Sequence, residues 1–274
     1  MPELPEIEVL RRSLEPRLLG RRIERIEARR VALREPLDGR ALRRALSGAR
    51  IVAVRRRAKY LLLDVESGST LLVHLGMSGR LTLAAADAPR EPHEHLSLHL
   101  DGGERLRLRD PRRFGLAVAI ATAGLSEDPH LATLGVEPLS PEFGAELLRA
   151  AAAGRRGPVK NFLMDGHVVV GVGNIYASEA LFRARIAPQR GVDRLRSAQW
   201  ARVADAVVET LAQAIAEGGT TLNDFTDGAG SPGLFQVSLA VYARGGEPCP
   251  RCAARIRRLV QAGRSSFYCP RCQR

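Results

Sequence analysis

Long apolar runs and early cysteines are both missing from this 274-residue chain. No run approaches the roughly 18 apolar residues of a membrane-spanning helix, and residues 1–12 are charged where a secretory signal peptide has its apolar stretch. No cysteine precedes Cys249, so most of the chain needs no disulfide bonds. These absences exclude a membrane protein and a disulfide scaffold, and we expect a soluble, cytoplasmic protein.

Lysine is nearly absent. Of the 42 basic residues only Lys59 and Lys160 are lysines, and the others are arginines. Codon bias in a GC-rich genome explains the arginine excess. The two lysines are then expected where a compact ammonium is needed and a planar guanidinium does not fit, with chance retention as the alternative.

Basic residues are in excess over acidic ones, 42 against 30, for a formal net charge of +12. The excess is concentrated at the carboxyl end, where residues 244–274 contain eight arginines and a single acid, Glu247. A polyanion is therefore the first partner to consider, and the tail is predicted to be a nucleic-acid contact surface.

The length allows two domains, and the first is predicted to be a β-sandwich. A short helix begins after Pro5, since Ile7, Leu10 and Leu14 follow at helical spacing. From residue 22 to residue 121, short apolar or alternating runs are broken by turn residues, as in a sandwich. The runs are Ile51–Val54, Tyr60–Val65, Thr70–Leu75, Leu96–Leu100, Leu106–Leu108 and Leu116–Ile120.

The second half of the chain is predicted to be helical. Its clearest element is an amphipathic helix that Ser197 could cap and that Gly218 and Gly219 would end. The apolar face of this helix comprises Trp200, Val203, Val207, Leu211 and Ile215. A glycine-rich segment, residues 220–233, precedes the tail.

The cysteines form two pairs, Cys249 with Cys252 and Cys269 with Cys272, at the spacing of a four-thiolate zinc site. Two disulfides are the alternative, which a reducing compartment disfavours. We expect one zinc ion with a structural role, since four thiolates leave no open position for water. Strands at Arg257–Gln261 and Ser265–Tyr268 would form a hairpin, with Arg264 projecting from its tip.

Two loops are candidates for contacts with a nucleic acid. Gly171 and Gly173 lead into a helix start, a turn that presents backbone N–H groups to an anion, with Lys160 close before it. In the segment from residue 109 to residue 115, Arg112 and Arg113 precede Phe114, as in a wedge that enters a base stack. The alternative is that Phe114 folds into the core and the arginines are merely solvated.

Together these motifs resemble the family of formamidopyrimidine-DNA glycosylase and endonuclease VIII, nearly end to end. The matching segments are residues 2–6 (Pro-Glu-Leu-Pro-Glu), 59–60, 74–79 (His-Leu-Gly-Met-Ser-Gly), 110–115, 171–179, 219–222 and the cysteine pairs. The resemblance implies an α+β fold in which a β-sandwich precedes a helical domain with a helix-two-turns-helix motif and a β-hairpin zinc finger. The implied domains are residues 1–125 (catalytic), 126–141 (linker), 142–234 (helix-two-turns-helix with a lesion-capping loop) and 235–274 (zinc finger).

The resemblance also implies a mechanism and the residues that perform it. Met1 is removed, and Pro2 attacks C1′ of the damaged nucleotide, forming an iminium that drives elimination of both phosphates. Glu3 transfers a proton at the sugar ring oxygen, and Lys59 contacts the phosphate or the lesion. Lys59 and Arg264 are counted with the catalytic residues.

The remaining implied residues contact DNA. Met77, Arg112 and Phe114 fill the gap left by the flipped lesion, and Arg112 faces the orphaned base. Other residues hold the kinked phosphates (Lys160, Asn174 and Arg264), help to recognise the flipped base or to order the pocket (Glu179), or lie at the DNA surface (His93 and Arg113).

The substrate is expected to be double-stranded DNA with oxidised purines or abasic sites, acted on by a monomer near the bacterial nucleoid. Leu4 favours oxidised purines, since endonuclease VIII, in the other branch of this family, typically has glycine there. The chain departs from the family pattern at Gly166 and Leu234, where an amide side chain and an aromatic are usual. An endonuclease VIII-like enzyme for oxidised pyrimidines and a non-catalytic zinc-ribbon nucleic-acid-binding protein are the alternatives.

Overall fold

A computed structural model describes residues 2–220 and 238–274. The described residues divide into two compact units, one of residues 2–132 and 218–220, the other of residues 133–217 and 238–274. The glycine-rich segment that was expected to contain the lesion-capping loop, with Leu234, lies mostly outside the described residues. No helix among the described residues is both long and apolar enough to cross a bilayer.

The first unit is a sandwich of two four-stranded antiparallel sheets, preceded by a helix. In chain order its elements are α1 (Leu4–Leu18), β1 (Ile23–Ala28), α2 (Gly39–Leu46), β2 (Ile51–Arg57), β3 (Tyr60–Val65), β4 (Ser69–His74), β5 (Arg80–Ala85), β6 (Glu94–Leu100), β7 (Glu104–Arg109) and β8 (Leu116–Ala121). One sheet has the strand order β1-β6-β7-β5 and the other β2-β3-β4-β8. The main core joins α1 to both sheets, with Leu10 and Leu14 of the helix almost fully buried.

The central strands of the second sheet are apolar on both faces. Leu61 and Leu63 of β3 belong to the main core, whereas Leu62 joins a smaller cluster with Leu125 on the other face. This double burial explains why Tyr60–Val65 is a continuous apolar run rather than an alternating one. The strand bounds predicted for this run agree with β3.

The second unit is helical and ends in a hairpin. Its elements are α3 (Ala145–Ala152), α4 (Val159–Leu163), α5 (Asn174–Ala184), α6 (Ser197–Ala216), β9 (Arg257–Gln261) and β10 (Arg264–Tyr268). The face of α6 that was predicted to be apolar is buried. The α+β prediction, with a sandwich before a helical part and a hairpin, is confirmed.

Two local predictions in this unit are wrong by one residue. Ser197 is the first residue of α6 rather than its cap, and Arg196 is the N-cap residue, whose backbone N–H donates to the Gln199 side chain over 2.9 Å. Arg264 is not in the hairpin turn but opens β10, where it pairs with Gln261. The turn consists of Ala262 and Gly263, both with positive φ, which matches the strand twist of a two-residue hairpin.

Candidate active site and nucleic-acid interface

The amino-terminal residues are fixed by a reciprocal cap on α1. Glu3 is the N-cap residue and is only 3% exposed. Its side chain accepts the backbone N–H of Glu6, and its own backbone N–H donates to Glu6 Oε2 over 2.7 Å. The cap therefore determines where Pro2 and the Glu3 carboxyl group lie.

Glu6 also anchors the segment that follows α6, a role that the sequence analysis missed. Its second carboxylate oxygen, Oε1, accepts the backbone N–H of Thr220 over 2.9 Å and the Thr220 hydroxyl over 3.0 Å. Gly219, with φ of 77°, allows this approach, since a Cβ there would lie 3.2 Å from Glu6 Oε1. The glutamate at the third helical position of a capping box was the available signal.

Lys59 is half-buried in the two-residue turn between β2 and β3. The preceding residue, Ala58, has φ of 54°, a conformation that costs a non-glycine residue about 1 kcal/mol. Arg56 secures the turn, since it donates to the carbonyl of Ala58 over 3.0 Å and to Glu8 on α1 over 3.2 Å. The strained turn that presents Lys59 is thereby tied to the same helix that Glu3 caps.

His74, at the end of β4, is buried near Arg34 and Lys59. Its Nδ1 accepts the backbone N–H of Gly76 over 2.9 Å. Burial, followed by the charges of Arg34, Lys59 and His130, lowers the pKa of His74 to about 3. His74 is therefore a neutral imidazole at pH 7, and it holds the start of the loop that contains Met77.

The three residues expected to fill the gap in the duplex lie on two loops of the first unit. Met77 is 40% exposed and Phe114 is 46% exposed, so the interpretation of Phe114 as a core residue is wrong. The Arg112 guanidinium lies 5.0 Å from the centre of the Phe114 ring. Arg113, also exposed, has φ of 58°.

His93 is exposed in a neighbouring turn and has φ of 65°. Its carbonyl accepts the backbone N–H of Asp110 over 3.0 Å, at the start of the loop with Phe114. The structure thus brings His93 together with Met77, Arg112 and Phe114 in the first unit.

A second group of expected residues gathers in the helical unit around a buried lysine. Lys160 is 1% exposed, and its ammonium donates to Asn174 Oδ1 over 2.6 Å, to the Ser266 hydroxyl over 2.7 Å and to the Ser265 carbonyl over 3.1 Å. These three acceptors match the three N–H donors of an ammonium. The structure therefore places Lys160 beneath Asn174 and beside the hairpin strand that Arg264 opens.

Asn174 is the first residue of α5, and Gly173 before it is the N-cap residue. Gly171, two residues earlier, has φ of 78°. Because Lys160 binds its Oδ1, its Nδ2 is the atom directed to other partners, and it lies 3.5 Å from the Tyr242 hydroxyl. Arg264 is exposed on the hairpin. A helix start, an amide donor and an exposed arginine together form a suitable surface for phosphate groups.

Glu179, one turn farther along α5, is buried and holds a turn of the chain. It accepts the backbone N–H groups of Ala240, Val241 and Tyr242 over 2.8 to 3.0 Å. Burial raises the pKa of Glu179 and outweighs the opposing effect of these three donors. Its contacts explain how the residues beginning at Ser238 are attached to α5.

The four cysteines form one cluster, and the distances between their Sγ atoms are those of a tetrahedral metal site. All four Sγ atoms lie within 4.8 Å of one another, with Cys249 to Cys272 at 3.9 Å and Cys252 to Cys269 at 3.5 Å. A Zn–S bond of about 2.3 Å implies S–S edges of about 3.8 Å in a tetrahedron. The set fits one structural zinc ion, which confirms the zinc prediction, and none of the cysteines is in a disulfide.

Gly166 stands where the family pattern has an amide side chain. A Cβ added at Gly166 would meet no atom within 4 Å, so the missing amide side chain leaves open space on this loop.

Fold and site together define a protein that joins a β-sandwich to a helix-two-turns-helix unit with a zinc finger. Three family models match the chain in that order: the formamidopyrimidine-DNA glycosylase N-terminal domain over residues 1–117, its H2TH domain over 134–226, and the zinc finger found in FPG and IleRS over 246–274. A formamidopyrimidine-DNA glycosylase of Dechloromonas aromatica is 49% identical over 278 residues, with 100% of both chains covered.

Solved structures of Lactococcus lactis Fpg are similar over the whole chain. A variant of that protein bound to Fapy-dG-containing DNA has a TM-score of 0.92 at 35% identity, covering 100% of both chains. Its complex with abasic-site DNA has a TM-score of 0.92 at 36% identity, covering 99% of both chains. The chain belongs to the formamidopyrimidine-DNA glycosylase family, as the sequence resemblance predicted.

Proposed function

We propose that this chain removes oxidised purines, 8-oxoguanine and formamidopyrimidines, from double-stranded DNA and then cleaves the strand through Pro2. As a member of its family the chain is a base-excision repair DNA glycosylase with AP lyase activity. The observation that carries the proposed mechanism is the amino-terminal cap, in which Glu3 is buried and fixed next to Pro2.

The nucleophile in this proposal is the secondary amine of Pro2 once Met1 has been removed. An ordinary α-amine has a pKa near 7.7 to 8.0, so about a tenth is neutral at pH 7, far more than for a lysine. The nitrogen bonds to C1′ as the glycosidic bond breaks, and the departing base takes up the proton that the nitrogen loses. Glu3 then protonates the ring oxygen as its bond to C1′ opens, which produces a cationic iminium.

The iminium makes the C2′ protons acidic, and loss of one expels the 3′ phosphate. A second elimination expels the 5′ phosphate, so the strand is cut on both sides of the sugar. Lys59 and Arg264 are proposed to contact these phosphates and assist their departure. The zinc ion, held by the four cysteines, supplies only the rigidity of the hairpin that carries Arg264.

The other site residues are proposed to hold kinked DNA. Met77, Arg112 and Phe114 enter the gap, while His93 and Arg113 lie at the DNA surface. Asn174 donates to a phosphate, and Lys160 acts through it, since the ammonium is bound to Asn174 Oδ1. Glu179 acts on the flipped base indirectly, by holding residues 240–242, which follow the segment expected to contain the lesion-capping loop.

The proposed domains are residues 1–125 for catalysis, 126–141 as linker, 142–234 with the helix-two-turns-helix motif, and 235–274 as zinc finger. Because its substrate is DNA, the enzyme is proposed to act in the bacterial cytoplasm, in association with the nucleoid. A monomer suffices for the proposed contacts.

Borohydride trapping tests the mechanism. The protein is incubated with duplexes that contain 8-oxoguanine, an oxidised pyrimidine or a preformed abasic site, and strand cleavage and covalent adducts are scored. We expect cleavage at 8-oxoguanine and a trapped adduct on Pro2, with Met1 absent from the active protein by mass spectrometry. One uncleavable residue added before Pro2 should abolish trapping, because an amide nitrogen is not nucleophilic.

Glu3→Gln separates the two stages. This variant should lose excision of 8-oxoguanine but still form the adduct at a preformed abasic site. Undiminished trapping by a chain proven to retain Met1 would contradict the proposal and move the nucleophile to Lys59. Stronger cleavage at the oxidised pyrimidine than at 8-oxoguanine would contradict the proposed substrate class.

A further inference from the structure

The residues proposed to enter the duplex lie on two loops that are far apart in sequence, residues 76–79 and residues 110–115. Met77 belongs to the first loop, whereas Arg112 and Phe114 belong to the second. All three side chains are exposed, so packing against the core does not fix them relative to one another. Their common position must come from contacts between the loops.

A fully buried carboxylate lies where the loops meet. Asp110 is 0% exposed, and its Oδ1 accepts the Ser78 hydroxyl over 2.7 Å. Its other oxygen, Oδ2, accepts the backbone N–H of Gly115 over 2.8 Å. Asp110 thus closes its own loop with one oxygen and binds the neighbouring loop with the other.

Ser78 makes the connection in both directions. While its hydroxyl donates to Asp110, its oxygen accepts the backbone N–H of Arg112 over 3.2 Å. Ser78 directly follows Met77, so one side chain links Met77 to the backbone of the second loop. A hydrogen bond to a carboxylate is worth more than a neutral one, and burial of Asp110 protects it from water.

The backbones of the two loops also touch. Gly76 has φ of 61°, and a Cβ there would lie 2.4 Å from the carbonyl carbon of Phe114. A Cβ at Gly115 would lie 2.9 Å from the His74 carbonyl oxygen. Arg34 supports the same point, since its guanidinium donates to the Phe114 carbonyl over 3.2 Å.

We propose that the Ser78–Asp110 hydrogen bond joins Met77, Arg112 and Phe114 into a single preformed wedge, with Ser78 as a positioning residue for base extrusion. This inference rests on the proposed function. A preformed wedge enters the base stack as a unit, since no entropy is lost in aligning the three side chains during insertion. Loss of the link leaves each side chain present but weakens the connection between the two loops.

The test combines a single substitution with a double-mutant cycle. Ser78→Ala should slow single-turnover excision of 8-oxoguanine from duplex DNA by about tenfold, the size of one charge-assisted hydrogen bond. Cleavage at a preformed abasic site should change by no more than about twofold, since that site needs little extrusion. Ser78→Thr, which keeps the hydroxyl, should restore excision.

Ser67→Ala is the matched control, because the Ser67 hydroxyl also makes one hydrogen bond in this unit, to the carbonyl of Ala45, away from both loops. It should excise at the wild-type rate. Fluorescence of 2-aminopurine beside the lesion reports wedge insertion and should be delayed in Ser78→Ala alone.

Met77→Ala and Phe114→Ala measure the coupling itself. In the otherwise unchanged chain the double variant should be only about as slow as the slower single variant, because a broken unit cannot be broken twice. With Ser78→Ala present, the two effects should multiply. Even if Ser78→Ala does not fold, the cycle in the unchanged background still shows whether Met77 and Phe114 act as one unit.

Independent effects of Met77→Ala and Phe114→Ala in the unchanged background would overturn the proposal. So would a Ser78→Ala variant that excises as fast as Ser67→Ala. Failure of the unsubstituted chain to excise 8-oxoguanine would instead contradict the proposed function, so the two failures are distinguishable.

Discussion

The two groups of site residues are held in different ways. In the sandwich unit, the loops of residues 76–79 and 110–115 meet at the buried carboxylate of Asp110. This carboxylate accepts the Ser78 hydroxyl from one loop and the Gly115 backbone N–H from the other. In the helical unit, the buried ammonium of Lys160 binds a helix start and a hairpin more than 100 residues farther along the chain. The hairpin itself depends on a metal.

The two groups are vulnerable to different changes. The sandwich loops connect strands of well-packed sheets, so their ends stay in place if one contact is lost. In the helical unit the four-cysteine cluster supports the hairpin together with Lys160, with Gln261, which donates to the Pro188 carbonyl, and with the ring of Phe267, which packs on Tyr242.

Removal of zinc should have the largest effect and should affect only the helical unit. Chelation, or Cys249→Ala, removes the metal that organises the hairpin, and structural zinc contributes folding energy directly. We expect affinity for damaged duplex to fall by at least about 100-fold, measured by fluorescence anisotropy. Apo protein that binds damaged duplex normally would refute the assignment of this surface.

Arg264→Ala is the control for that experiment. Arg264 opens β10 and is not a metal ligand, so the variant should bind DNA more weakly while zinc content stays at one ion per chain. Equal loss of zinc would show that Arg264 acts on the fold of the finger rather than on DNA.

Substitution of Lys160 by Met should have the next largest effect. Met keeps the length of the side chain but removes all three donors, leaving the buried Ser266 hydroxyl and the half-buried oxygens of Asn174 and Ser265 without them. We expect a loss of about 2 to 3 kcal/mol in the free energy of unfolding, measured by urea denaturation.

Two further variants sharpen the result for Lys160. Lys160→Arg should not restore stability, because a planar guanidinium does not fit the ammonium site. Lys59→Met, in a half-buried turn, should cost less than about 1 kcal/mol. Full stability in Lys160→Arg would contradict the interpretation that this site requires a compact ammonium.

Acid should act first on the sandwich unit, through His74. The pKa of His74 is about 3 when folded, because of burial and the nearby charges of Arg34, Lys59 and His130, and near 6.5 when unfolded. The unfolded state therefore binds the proton more readily, so the neutral histidine favours folding above pH 6.5 and stability is lost as pH falls. The loss reaches about 2 kcal/mol at pH 5.

His130 has the opposite sign and serves as the internal comparison. Burial lowers its pKa, but hydrogen bonds to Glu35 and Asp128 outweigh this and raise the pKa above 6.5. Its contribution is thus present at low pH and lost as pH rises through the folded pKa.

Melting temperatures of His74→Gln should fall less steeply from pH 7 to pH 5 than those of the unsubstituted chain. An unchanged slope would contradict the buried, neutral state of His74.

Much of the fold could be predicted from local patterns. The runs that became β3, β4 and β8 were visible, because strands with two apolar faces leave continuous apolar sequence. In contrast, β1 was missed, since a bulge between Ile23 and Arg25 places Ile23 and Ile26 three residues apart on the buried side. The eight-residue helix α2 is too short for its periodicity to be distinctive.

The site could be predicted in its residue types but not in its connections. Cysteine spacing determined the zinc cluster, since thiolates at these intervals can surround one ion whatever the rest of the chain does. The initial Pro-Glu pair and the glycines before α5 were likewise readable, because helix starts have local signatures. These features depend on neighbours within a few residues.

Tertiary structure alone decided how the side chains are used. Lys160 was expected to hold phosphates, but it is buried and its ammonium binds three oxygens of the protein. Asp110 resembles a turn residue and becomes the meeting point of two loops. Both outcomes depend on partners from distant parts of the chain. The sequence by itself determined which chemical groups are present and which short segments carry them, whereas burial and long-range hydrogen bonding determined which of those groups reach solvent and which hold others in place.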